Sequence, residues 1–238
     1  MRPPSPPLTA ARALLLLALA SGSALIARGS VAYFDPEEIA PFVLEKLPLA
    51  DEARYLLTLQ VHVVAAAFAL PGCLALVSTT LLRRLPRLHR WLGRLVGGAV
   101  VFALVPSGFA LSLHATGGLP STLGFVATGA ITLVAMVQGV RTARARRFAE
   151  HRRWVWHVLA QLSVAVTSRA LLLAFDAAAV DPERAYVISL WLPVVGSALI
   201  VEALTRTTPL SLPWRTHAPP AAAVEPRPVQ PVPRGATS

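Results

Sequence analysis

The 238-residue chain is 55% hydrophobic and only 14% charged, with a mean hydropathy of +0.59, which excludes an ordinary soluble domain of this length. Its formal net charge of +10 comes from 22 basic against 12 acidic residues. The basic residues are divided among loops and form no single soluble patch, which excludes nucleic acid as a partner.

Crossing the hydrocarbon takes about 20 apolar residues. Windows of that kind fall at 11–34, 55–82, 92–113, 121–140, 154–175 and 186–205, so the expected fold is an all-α integral membrane protein with about six transmembrane helices. Residues 1–10 form a short N-terminal segment. Residues 11–34 read as a first transmembrane helix or signal anchor, because the apolar run continues past Arg28 to Phe34 without a small-x-small cleavage site. Residues 35–54 form an acidic loop, residues 55–176 hold four helices, and residues 186–205 make the last span. The Pro/Ala-rich tail at 206–238 has too little bulky apolar content for a packed core and is expected to be disordered. Cys73, the only cysteine, lies inside an apolar run and reads as a small packing residue.

The connecting segments alternate in charge. Arg83, Arg84, Arg87, Arg90 and Arg94 fall between the second and third windows, and Arg141, Arg144, Arg146, Arg147, Arg152 and Arg153 between the fourth and fifth. The opposite loops carry Asp35, Glu37, Glu38, Glu45, Asp51 and Glu52, then Asp176, Asp181 and Glu183. The positive-inside rule places the arginine loops and both termini in the cytoplasm, in a multi-pass protein of the cell membrane. The expected partners are the bilayer and the anionic headgroups that meet those arginines.

The two arginine loops also resemble each other. "LLRRLPRLHRWLGRL" and "GVRTARARRFAEHRRWVWHVL" each give a His-Arg pair, then a tryptophan, then an outgoing helix. The four central helices are therefore expected to be two repeated hairpins, related by an axis along the membrane normal. His89 and Arg90 would be counterparts of His151 and Arg152, with the two histidines near each other.

These motifs carry a family resemblance. "LPRLHRWLGR", "GGLPSTLGF", "HRRW" and "AVTSR" resemble the signature of a bacterial family of predicted membrane proteins, domain of unknown function 2306, over about residues 55–176. The resemblance implies a helical membrane architecture and marks His62, His89 and His151 as positions of interest. It implies no reaction. Where the family pattern usually has an arginine, this chain has His157.

Depths estimated from the window midpoints, at about 1.5 Å per residue, sort the polar residues into two layers. His62, Arg169 and His114 fall on the outer side. His157, Gln138, Glu202 and Gln161 fall on the inner side. Ionisable groups at such depth are costly unless they face a partner or a cavity, which makes both layers candidate sites. One expectation is haem b held by His62, His114 or His157, with glycines such as Gly108, Gly124 and Gly129 giving clearance and two haems carrying electrons across the membrane. Another is a proton-, anion- or lipid-handling transporter-like protein, in which His157 titrates near neutral pH. A non-catalytic membrane scaffold is the third.

Overall fold

The computed structural model describes residues 6–207 apart from residues 36 and 38. The tail expected to be disordered lies outside these from residue 208 onward. Most helices start or stop where the sequence supplies a cap or a breaker. α1 (Pro6–Gly29) runs on into a 3-10 turn at Ser30–Phe34. α2 (Glu52–Leu76) is capped by Asp51, whose carboxylate accepts from Arg54 N–H at 3.0 Å. α3 (Pro86–Ser112) has proline in its first turn, where the missing N–H costs nothing. α4 (Gly118–Arg144) follows Gly117, whose φ of +83° suits glycine. α5 is Phe148–Ala177 and α6 is Pro182–Thr207. All six contain segments long and apolar enough to span a membrane, and no strand occurs among the described residues.

Three boundaries differ by six residues from the windows read in the sequence. α2 stops at Leu76 and not at residue 82, because Ser78 caps a separate short helix, Thr79–Arg84, by accepting from Leu81 N–H. α3 and α5 begin six residues earlier than hydropathy suggests, at Pro86 and Phe148. Their first turns are rich in arginine and histidine, which hydropathy scores as loop but which a helix tolerates at a membrane surface.

α2 packs on α3, α3 on α4, α4 on α5 and α5 back on α2, so the four central helices close a ring. α1 lies against α2 and α5, and α6 against α4 and α5. The ring is filled by residues such as Ala69, Cys73, Val96, Val100, Ala135 and Val158. Cys73 is 2% exposed and packs as the small apolar residue it was expected to be. The two hairpins differ within their helices. α3 contains a π segment, Val100–Leu104, in which Val105 N–H bonds Val100 C=O five residues back, whereas α5 is α-helical from end to end.

Beyond the membrane helices, the acidic loop folds back over the ends of α2 and α3. Its short helix Pro41–Leu44 buries Val43 against Tyr55 and Leu59. Lys46 Nζ donates to Thr116 Oγ1 in the turn before α4 and stands over the Phe42 ring.

Candidate functional site

On the acidic side, the π segment shapes the surroundings of His62. Pro106 lacks an N–H, so backbone carbonyls in this part of α3 lose their usual donor. The neighbouring Ser107 hydroxyl bonds back to its own helix, donating to Ala103 O at 2.6 Å with Leu104 O at 3.1 Å. With its only proton committed there, Ser107 Oγ accepts from His62 Nδ1 at 3.1 Å. Neutral His62 therefore carries its proton on Nδ1, and Nε2 keeps a lone pair. The His62 ring lies against Gly108, where an added Cβ would come within 3.2 Å of Cε1. The Arg169 guanidinium on α5 is within electrostatic reach of both His62 and Tyr186. Ser107 stands five residues before the end of α3, which keeps His62 in the acidic-side half.

His114 lies elsewhere in this layer. It stacks edge-on against Tyr55, with ring centroids 5.3 Å apart, and Tyr55 precedes His62 by seven residues, about 10 Å along α2. His62 is thus within electrostatic reach of Arg169, whereas His114 is held about two turns away.

On the arginine side, Glu202 of α6 is a hub. Its carboxylate accepts from Arg153 Nη2 at 2.5 and 2.7 Å, from Arg206 Nε at 3.2 Å and from His157 Nε2 at 3.0 Å. His157 is 5% exposed, whereas the Glu202 side chain is 28% exposed, so the chain of contacts runs from an accessible carboxylate to a buried imidazole. One turn deeper on α5, Gln161 accepts from the Thr128 hydroxyl at 2.8 Å and donates to Val194 O at 3.1 Å and Ser197 Oγ at 3.2 Å. Gln138 is not in this cluster. It is half-buried on α4, and its carbonyl accepts from Thr142.

A third group sits at the arginine-side helix starts. His89 and His151 come within electrostatic reach of each other, as the loop resemblance suggests. His151 Nδ1 donates to Gly139 O at 2.8 Å, while His89 Nδ1 is buried without a hydrogen-bond partner among the described residues. Arg90 is exposed and Arg152 half-buried.

Sequence reasoning missed Arg153, which it assigned to topology alone, and Ser107, Thr128 and Ser197. Arg153 was discoverable, since it lies four residues before His157 and so shares its helical face. The serines and threonine carry no such signal, because most hydroxyls in membrane helices bond their own backbone, as Thr132 and Thr205 do here.

Haem gains no support from this geometry. His62 and His114 are two turns apart, and His157 Nε2 is engaged by a carboxylate. The glycines expected to clear a macrocycle are filled by neighbouring side chains: His62 at Gly108, Leu190 at Gly124 and Phe109 at Gly129. Among the described residues, no group of three or more His, Cys, Asp or Glu side chains is placed to hold a metal ion.

The family model described as predicted membrane protein (DUF2306) matches residues 59–205, more than half of the chain. The protein belongs to this family. The match runs beyond the region where the motifs were recognised and takes in α6 with Glu202. No curated protein and no solved structure matches the chain.

Proposed function

We propose that this DUF2306 member is a proton-handling membrane protein, with His157 and Glu202 as its proton-exchanging pair on the arginine side and His62 as the titratable group on the other. The observation that carries this is the 3.0 Å contact between buried His157 and the more accessible Glu202, one turn from the Gln161 hydrogen bonds. Imidazole is the side chain whose ordinary pKa lies nearest neutral pH, and a carboxylate at the protein surface can pass a proton to it. Ionisable groups inside membrane segments are costly, and proton relays and ion or substrate pathways are among the sites they mark. By the positive-inside rule the arginine side faces the cytoplasm, so Glu202 is the cytoplasmic entry and both termini lie on that side. The arginines of the two loops meet anionic headgroups there.

The test is proton flux in proteoliposomes with an entrapped pH-sensitive dye and an imposed membrane potential. Wild type should exceed empty vesicles, and Glu202→Gln and His157→Ala should each cut the flux at least tenfold. Arg87→Ala, at an exposed residue in the first turn of α3, should leave it unchanged. Wild-type flux no greater than that of empty vesicles would remove the proposal, as would variants that match wild type.

A further inference from the structure

On the outer surface of the ring, α2, α3 and the end of the first span enclose a hollow of about 470 Å³. Small side chains make room for it: Ala65 on α2, with Ala99 and Ala103 on α3. Ala103 belongs to the π segment, so the irregular turn of α3 forms part of the wall. Val64 and Phe68 in the lining remain 58% and 40% exposed, while Ala65 is 6% exposed. The hollow is therefore entered from the membrane and not from inside the ring.

Its depth follows from two contacts. Phe34, in the lining, ends the first span, and Tyr33 O beside it accepts from Gln60 Nε2 at 2.8 Å, so that span stops level with Gln60. From Gln60 to Phe68 the lining descends eight residues, about 12 Å along α2. The hollow thus begins where the hydrocarbon begins on the acidic side and stops short of the bilayer centre, roughly 15 Å down. Gln60 is the polar residue in the lining, and it spends its amide N–H on Tyr33 O. A second hollow of about 310 Å³, lined by Val31, Ala32, Phe34 and Asp35, meets the first at Phe34. Asp35 directly follows the span, which puts its exposed carboxylate at headgroup depth. Exposed Glu37, whose N–H donates to Asp35 Oδ1 at 2.9 Å, adds a second negative charge there.

We propose that this groove binds one phospholipid of the acidic-side leaflet, with an acyl chain in the larger hollow and an ammonium headgroup at Asp35. A narrow apolar hollow one leaflet deep fits a chain that runs along the membrane normal. Left empty it would forfeit dispersion contacts, and water would find few polar partners in it. The bilayer supplies chains at that depth without a diffusing ligand. The mouth then chooses among lipids: a carboxylate attracts an ammonium headgroup and repels a lipid whose net charge is negative. Glu202 lies at the opposite surface, so the site is independent of the proton pathway.

The experiment places the full chain in nanodiscs of equimolar phosphatidylethanolamine and phosphatidylglycerol, releases it into mild detergent and counts retained lipid by native mass spectrometry. Wild type should keep one phosphatidylethanolamine per chain. Ala103→Phe and Val64→Trp, which put bulk into the hollow, should each cut that retention at least tenfold. Val134→Trp, at a 53% exposed position of α4 outside the hollow, should leave it unchanged. Asp35→Asn keeps an oxygen for the Glu37 N–H and should retain the two lipids equally. If Ala103→Phe does not fold, Val64→Trp, at an exposed position, carries the test. Wild type that keeps no lipid, or keeps both lipids equally, overturns the proposal, as does retention unchanged in the filled variants. A dimer of the chain that Val64→Trp dissociates would make a second copy the occupant and overturn it too.

Discussion

Lys46 is the only lysine in the sequence, and it ties the acidic loop to the turn before α4 through Thr116. Burial lowers its pKa from the ordinary 10.5, and neighbouring Glu45 opposes the shift only in part. The sign follows from proton counts. Over the pH range between the lowered folded value and the ordinary one, the folded chain holds fewer protons on Lys46 than the unfolded chain, so docking of the loop strengthens as pH rises through that range. An amine-reactive reagent, with modification at Lys46 read by mass spectrometry, should show a reactivity midpoint below that of a free lysine side chain. Val43→Asp, which places a charge at a buried contact of the loop, should return the midpoint toward the ordinary value. A wild-type midpoint at or above the ordinary one would mean that the loop does not dock as described. At this scale the sequence was informative about costly groups. His62, His157, Arg169 and Glu202 stand out because each is an ionisable residue in an apolar window. The residues that satisfy them do not stand out, because a hydroxyl bonded to its own helix and one bonded to a distant imidazole look alike in one dimension.

At the scale of elements, the membrane helices were legible as apolar runs, but their arginine-side ends were not. Pro86 and Phe148 begin helices whose first turns hydropathy assigns to loops, and the separate Thr79–Arg84 helix depends on a Ser78 cap. The π segment of α3 left a faint trace in Pro106, which marks a break without saying what kind. The helix ends contain a testable strain. α5 closes with Val180 N–H bonded to Phe175 O at 3.0 Å and Ala179 at φ +53°, the six-to-one bond and left-handed residue that usually call for glycine. An alanine there costs roughly 1–2 kcal/mol, part of which glycine gives back through its greater freedom when unfolded. Ala179→Gly should therefore stabilise the protein by about 0.5–1 kcal/mol, seen as a higher Tm in detergent. An unchanged or lower Tm would show that the turn is not held in the left-handed conformation.

For the whole molecule, the ring of α2 to α5 was foreseeable from span count and loop length, since short loops make sequential helices neighbours. The hairpin resemblance drew attention to His89 and His151, which come within electrostatic reach of each other, yet it did not foretell that only one hairpin would carry a π segment. Six consecutive spans put the starts of α1, α3 and α5 at one membrane surface, together with the ends of α2, α4 and α6. The arginine loops are at that surface. Between them they concentrate positive charge over short connections, where the positive-inside bias is strongest, while the opposite surface carries the acidic loops. Phosphatase and green fluorescent protein reporters inserted after Arg84, Thr116, Arg146 and Ala179 should therefore alternate. The first and third sites should give fluorescence without phosphatase activity, and the second and fourth the reverse. Reversal of all four would place the Glu202 entry on the outer face and invert the direction of the proposed proton path. Loss of alternation at Thr116 alone would mean that α3 and α4 do not both cross, and the ring that brings His62 to Ser107 could not then form.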